Sequence, residues 1–446
     1  MILFIALSLL LALCLVFLYI FFRLGPILTA FVAKVYASCV FTSRRNPASV
    51  SQGELALVPF VNVNIDKEAR KVTASLGGFF SKTAVYKPGT GCSLLLGSKE
   101  EDVTKNCLDK DQFFTTPPQQ LRLHAKEQDH VVNLRQLEQA FDYAFHQPKK
   151  VNTRAFLVFH HSTLVMEKYA EGFDAQLPQA GWSMCKSVIN ALVGILVKQG
   201  RLDIHAPVNL WPSGDLRNQL TIHQLLQMSS GLGFKEKYLG RTDVTQMLFD
   251  SPSVADFVLK KPLKYPPGTF WDYTSGTTNI ISFKLREILG ASYHNFPYQE
   301  LFAKTGMHSA EMECDANGLY VGSSFMFASA HDWARFGLLY ANDGVWEGER
   351  ILPEGWVDYS RQPNPAAEMG RYGAHFWLNA GEKDHPEKRF WPSLPNDLYY
   401  ASGFEGQFVM VIPSHSLLIV RLGQTLRKED YDMEGVINKV LKAFKD

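Results

Sequence analysis

Apolar residues fill the start of this chain almost without a break. Ile2 to Phe22 carries no charge, and at about 1.5 Å per residue a run of that length crosses a bilayer as a helix. It lacks the basic leader and small-residue cleavage site of a removable signal peptide, so it reads as a retained anchor. A second apolar stretch, Leu24 to Ala33, contains Gly25 and Pro26. It is too short to span and is expected at the membrane interface.

Further along, the pattern switches between two periods. Leu134, Leu137, Phe141 and Phe145 recur at helical spacing after Asn133, a good helix cap. Ala155 to Phe159 and Thr163 to Tyr169 are strand-length runs around a short turn and read as a hairpin. His160 and His161 sit at that turn, where adjacent side chains point to opposite sides. They fit a surface turn better than a shared metal. Val188, Ile189, Ala191, Leu192, Ile195 and Leu196 give a buried helix that Ser183 opens and Gly200 closes. From Leu202 to about Ala291 the chain is expected to be mainly helical, broken by Pro and Gly. Gln407 to Ile412 and Leu417 to Leu422 form a second hairpin, and Met433 to Phe444 a final helix. Hairpins and helices near both ends of this region, with a helical block between, predict an α+β fold. One antiparallel sheet is assembled from distant segments and flanked by helices, with a mostly helical insertion lobe.

Composition narrows the function. Of 446 residues, 46% are hydrophobic and 20% charged, which describes an ordinary globular protein. The net charge of +1 and the lack of a basic stripe exclude nucleic acid as a partner. There is no Cys-x-x-Cys pair and no His-Glu-x-x-His, so no metal or other cofactor is expected. Six cysteines are too few to frame a chain this long with disulfides. Cys92 and Cys107, on either side of the polar loop Gly97 to Asn106, are the one pair left open.

The chemistry centres on Ser183-Met184-Cys185-Lys186. On a helix, residues three apart share a face, so the Lys186 amine reaches the Ser183 hydroxyl. A serine becomes nucleophilic when a neighbouring base takes its proton, and a lysine becomes that base when its surroundings lower its pKa. The four residues alone fit an N-terminal helix serine with a solvated lysine better than a catalytic pair, and the rest of the chain reverses that balance. Two further segments complete a catalytic set. Asp272-Tyr273-Thr274-Ser275-Gly276 offers a phenol beside the lysine as proton shuttle. Ser402-Gly403-Phe404-Glu405-Gly406-Gln407 offers backbone N–H groups for an oxyanion. An α/β-hydrolase is a poor rival, because Gly-x-Ser-x-Gly is absent.

In this order, Ser-x-x-Lys, Tyr-x-Ser about 90 residues on and a Gly-rich strand near the C-terminus resemble the serine β-lactamase and penicillin-binding-protein superfamily. The likeness is nearest to class C-type esterases and 6-aminohexanoate-dimer hydrolases. It is carried by longer stretches as well: Gly181 to Ser187, Thr221 to Leu232, Tyr265 to Thr269, Ala328 to Gly337 and the C-terminal hairpin. The resemblance implies that Ser183 is acylated, that Lys186 is its base and that Tyr273 is the second acid/base group. It further implies that the N–H groups of Ser183 and Gln407 form the oxyanion hole, with Gly406 beside them. Ser275 replaces the family's usual asparagine as a substrate contact. Phe404-Glu405-Gly406 stands where a cation usually begins the third motif, which points away from β-lactams. Trp182, Trp271 and Phe404 are candidates for an apolar acyl pocket.

Three parts follow: a transmembrane anchor at 1–23, a membrane-proximal extension at 24–130 and a hydrolase domain at 131–446. The expected function is a membrane-anchored serine hydrolase acting on a small-molecule ester or amide. The alternative is a non-catalytic relative that binds cell-wall fragments or protein partners. Cationic residues after the span favour a cytoplasmic body by the positive-inside rule, whereas family members are commonly exported. The expected location is the bacterial inner membrane with the domain outside.

Overall fold

One continuous helix, Ile2–Ala37, leads through a π-helical turn, Ser38–Thr42, into the body of the protein. The structure, a computed structural model, describes residues 1–105, 107–117, 121 and 132–444. The expected boundary at 130/131 lies outside those residues, as do Pro118 of the expected linker and Asn106 of the polar loop. Up to Phe22 the helix is almost entirely exposed, and it is the one helix among the described residues long and apolar enough to cross a membrane.

The stretch from Leu24 to Ala33 is not a separate interfacial segment. It continues the same helix into the interior, where Thr29, Ala30 and Ala33 are fully buried. Pro26 removes one helical hydrogen bond without ending the helix, because the following turns are held by packing on both sides. Gly25 is required there: a Cβ would lie 2.3 Å from the ring of Phe80. This buried half packs on a four-stranded antiparallel sheet, Asn62–Asp66, Lys71–Leu76, Phe80–Lys87 and Gly91–Leu94. A buried ion pair between Lys34 and Glu313 fastens it to the rest. Cys92 is buried and Cys107 exposed, and both are free thiols.

The expected hydrolase region folds around a six-stranded antiparallel sheet. Its strands lie in the order Trp377–Leu378, Tyr399–Gly403, Gln407–Ile412, Leu417–Gly423, Thr153–His160 and Thr163–Tyr169. Both hairpins read from the strand-length runs are therefore present, joined edge to edge through Leu417–Gly423 and Thr153–His160. Side-chain alternation divides the core. Phe156, Val158 and Ile419 pack under the helices Leu134–Ala144 and Met433–Lys442. Leu157, Phe159 and Val420 face the larger core on the other side. There the helix Ala330–Ala341 approaches so closely that a Cβ on Gly337 would meet Leu418 at 2.5 Å. Burying each such large apolar side chain contributes about 1.5–3 kcal/mol.

The expected helical block between Leu202 and Ala291 is less regular than its sequence suggests. Its helices Ile222–Leu226, Asp243–Phe249 and Val254–Leu259 are short and joined by loops. Only Ser275–Leu289 is long. Pro and Gly punctuation cuts the helices, and tertiary contacts hold the loops between them.

Candidate active site

Ser183 sits in a 3₁₀ turn, Trp182–Met184, that runs into the helix Cys185–Lys198. The turn is tight on both sides. Gly181 presents the face where a Cβ would stand 2.1 Å from the buried ring of Trp333. Trp182 takes a left-handed backbone with φ of 49°, a conformation bulky residues rarely adopt and which costs on the order of 1 kcal/mol or more. Such strain clusters at functional sites.

One turn along, Lys186 is 1% exposed and fully bonded. Its Nζ lies 3.0 Å from Ser183 Oγ, 3.1 Å from Ser275 Oγ and 2.8 Å from the Ser323 carbonyl oxygen. It also stands 4.9 Å above the centre of the Tyr273 ring. The lysine thus meets the ring face of Tyr273. Ser275 starts the helix Ser275–Leu289 and is completely buried. Its hydroxyl is bonded to Lys186 and Glu236 inside the protein, unlike the substrate contact expected at this position.

Glu236 holds that hydroxyl and had no signal in the sequence. Its Oε2 accepts the Ser275 N–H at 2.8 Å, and its Oε1 accepts the Ser275 hydroxyl at 2.5 Å and the Tyr238 hydroxyl at 2.9 Å. A carboxylate between two lysines in a glycine-bounded loop looks like solvated surface until the loop folds inward. Tyr238 leaves its ring 44% exposed while its hydroxyl turns in. Burial and the nearby Glu236 push that phenol well up from its ordinary range.

His375 lies beneath the same helix, also unmarked in the sequence. Its two ring nitrogens face the Lys186 carbonyl oxygen at 2.9 Å and Thr278 Oγ1 at 3.2 Å. Burial first, and then the charge of Lys186, lower its pKa to about 3. The ring is neutral and serves as a wedge between two helices.

The third expected segment divides. Gly403, last residue of its strand, meets the turn that carries Ser183: a Cβ there would lie 2.1 Å from the Gly181 carbonyl oxygen. Gln407 pairs across from Gly403, and its side-chain amide bonds the Phe404 and Gly423 carbonyls. Gly406 has φ of 84°, and its carbonyl accepts from the buried Arg421 guanidinium at 2.5 Å. Both therefore shape the hairpin. Glu405 turns towards Gln424 and Arg154, away from Lys186, and burial raises its carboxyl to about 7.

Trp182 and Phe404 meet edge to face at 5.7 Å, and Phe404 stacks on Tyr238 at 5.6 Å. These three rings form one aromatic cluster, which Trp182 joins to the Ser183 turn. Trp271 belongs instead to a second cluster with Tyr372 and Trp377, which also backs Tyr273. Among the described residues, no group of three or more His, Cys, Asp or Glu is placed to hold a metal.

Comparison with known proteins agrees with this architecture. The family described as Beta-lactamase matches residues 141–442. A 6-aminohexanoate-dimer hydrolase from Paenarthrobacter ureafaciens is 23% identical over 295 residues, covering 60% of this chain and 72% of the relative. A family VIII carboxylesterase structure superposes with a TM-score of 0.55 at 16% identity, covering 70% of this chain and 97% of its own. A penicillin-binding protein from Bacillus halodurans does so with a TM-score of 0.53 at 17% identity, covering 69% and 100%.

Proposed function

The chain belongs to the beta-lactamase family and is a serine hydrolase, and from that premise we propose that it cleaves an ester or amide through an acyl-enzyme on Ser183. One observation carries the reading: the buried Lys186 amine lies 3.0 Å from the Ser183 hydroxyl with its other partners fixed. A neutral amine has two N–H groups and one lone pair. The Ser323 carbonyl can only accept, so it takes one N–H. The Ser275 hydroxyl gives its own proton to Glu236, so it accepts the second. The lone pair is left for Ser183, and it takes the hydroxyl proton as Oγ attacks the substrate carbonyl carbon.

Tyr273 is the second acid/base group. It delivers a proton to the leaving atom and withdraws one from the water that releases the acyl group. The oxyanion donors are the backbone N–H groups of Ser183 and Phe404. Gly403 accepts at its carbonyl from Gly406 N, which directs its polar groups into the hairpin. Strand alternation then turns the Phe404 N–H to the opposite edge, towards the nucleophile turn. Trp182, Phe404 and Tyr238 suit an apolar acyl group.

The N-terminal helix anchors the enzyme, and the body stands outside the bacterial inner membrane. A retained anchor is supported by the helix itself, whose second half is core and is tied to Glu313 through Lys34. The helix from Gly25 and the four-stranded sheet it packs on act as a brace between anchor and hydrolase domain.

Labelling by a fluorophosphonate probe tests the nucleophile. The wild type labels and Ser183→Ala does not. Labelling that survives the substitution overturns the assignment.

A further inference from the structure

One loop, from Glu236 to Arg241, reaches both the candidate site and the membrane-spanning helix. At about 1.5 Å per residue, Ile2 to Phe22 fills the roughly 30 Å hydrocarbon layer. The bilayer surface then falls at Tyr19 to Arg23, residue types that anchor helices there. Arg23 bonds the Tyr19 hydroxyl and lies 5.5 Å over its ring. No linker follows. The helix enters the folded body at Gly25, so the body is held rigidly against the surface.

Arg241 shares a surface hollow with Leu18, Tyr19, Phe22 and Arg23. It ends the loop in which Glu236 accepts from Ser275 and Tyr238 donates to Glu236. From Tyr238 to Arg241 the chain reaches at most about 11 Å. Between them Leu239 is 94% exposed, an unusual state for a leucine beside the exposed faces of Tyr238 and Phe404. The loop is fixed at this height: Arg241 is paired with Asp250 at 2.8 Å, and the adjoining helix Asp243–Phe249 packs on the anchor through Phe249 and Phe31, 5.5 Å apart. On the hairpin beside it, Phe79 is 69% exposed and packs edge-on against Phe21 and Phe22 at 5.9 Å. Exposed apolar side chains thus stand against the spanning helix, at Phe79, and next to the aromatic cluster of the site, at Leu239 beside Tyr238.

From this we infer that the enzyme draws its substrate from the bilayer, and that the substrate is a long-chain acyl ester of a membrane lipid. The inference rests on the serine hydrolase reading of Ser183 and the anchor. Leu239 and Phe79 enter the lipid, and the acyl chain passes along Leu239 to Trp182 and Phe404 without crossing water. Ser183 Oγ forms the new ester bond as the lipid C–O bond breaks, and the lipid alcohol leaves with the proton. Water then breaks the Ser183 ester and releases a fatty acid. Nothing is oxidised or reduced.

The test uses the full chain reconstituted in phosphatidylcholine vesicles that carry a fluorogenic long-chain diacyl ester. p-Nitrophenyl acetate, added to the water phase, is the soluble control. Leu239→Asp is expected to lower turnover of the vesicle ester about tenfold, with p-nitrophenyl acetate hydrolysis and fluorophosphonate labelling unchanged. Equal rates for variant and wild type on the vesicle ester overturn the inference, as does loss on both esters together. A wild type that hydrolyses only the soluble ester also overturns it while leaving the serine hydrolase reading intact. A wild type that is neither labelled nor active on either ester refutes that reading, and this inference with it.

Discussion

Glu236 grips Ser275 twice, at the backbone N–H (2.8 Å) and at the hydroxyl (2.5 Å). The second bond fixes where the Ser275 proton points, and so leaves the serine oxygen to accept from Lys186. Glu236→Gln keeps the shape but offers an amide N–H that competes for that oxygen. It is expected to lower kcat by about ten- to a hundredfold with little change in KM, since misplacing a catalytic group by an ångström costs that much. Rates of fluorophosphonate labelling fall in parallel. Unchanged labelling would remove Glu236 from the mechanism.

His375 gives the fold an acid limit. Its folded pKa of about 3 lies below the roughly 6.5 of an unfolded histidine. Between those values the unfolded chain binds a proton that the folded chain refuses. Stability from this group is full above about 6.5 and is lost as pH falls towards 3, by up to about 1.4 kcal/mol per pH unit. Melting curves between pH 7 and pH 4 should show this slope, and His375→Gln should flatten it. An equal slope in the variant would assign the acid sensitivity to other groups.

The outline of this site was legible because its covalent spacing is local. Ser183 and Lys186 had to share a helix face, and both hairpins showed apolar runs of strand length around short turns. What the sequence concealed was contact between remote segments. Glu236 reaches Ser275 across 39 positions, and His375 reaches Lys186 across 189. Neither has a local pattern. Gly403 was hidden differently: the run Ser402 to Gln407 was recognisably glycine-rich, but which glycine met the nucleophile turn depended on the hairpin register. Likewise Gly25 and Pro26 looked like an interruption, although packing on both sides carries the helix through them.

Gly403→Ala follows from that register. The added methyl would lie 2.1 Å from the Gly181 carbonyl oxygen, so strand and nucleophile turn must separate. Overpacking of this kind costs about 1–3 kcal/mol. The expected result is a modest fall in Tm with a kcat loss of at least about tenfold, because the displaced groups are those that orient Ser183 and the oxyanion donors. A variant with lowered Tm and full kcat would show that the contact serves only the fold.

β-Lactams should be poor substrates. The strand Tyr399–Gly403 supplies Tyr, Tyr, Ala, Ser and Gly, and Phe404 follows. No cation on it faces the Ser–Lys pair to hold a lactam carboxylate. Nitrocefin turnover should fall about ten- to a hundredfold below that of an uncharged ester of similar reactivity, given the roughly 1.5–3 kcal/mol of a charge-assisted hydrogen bond. Rates for nitrocefin equal to those for the ester would refute this.

The last prediction concerns the brace between anchor and catalytic body. Glu313 is fully buried, paired with Lys34, and accepts from Ser38 Oγ at 2.9 Å, Thr42 Oγ1 at 3.0 Å and Cys92 N at 3.0 Å. Lys34 also donates to the Cys92 carbonyl at 2.8 Å. Helix, small sheet and catalytic body therefore meet on one carboxylate. Glu313→Leu leaves the Lys34 ammonium buried without its counter-charge, and breaking a buried pair from one side costs about 3–5 kcal/mol. Lys34→Met combined with Glu313→Leu removes both charges and should recover much of that loss, since apolar replacement of a whole pair is often near neutral. Thermal unfolding of the detergent-solubilised chain gives the comparison. A double variant no more stable than Glu313→Leu alone would show that the hydroxyl and backbone bonds to Glu313 hold the brace together, and that the ion pair does not.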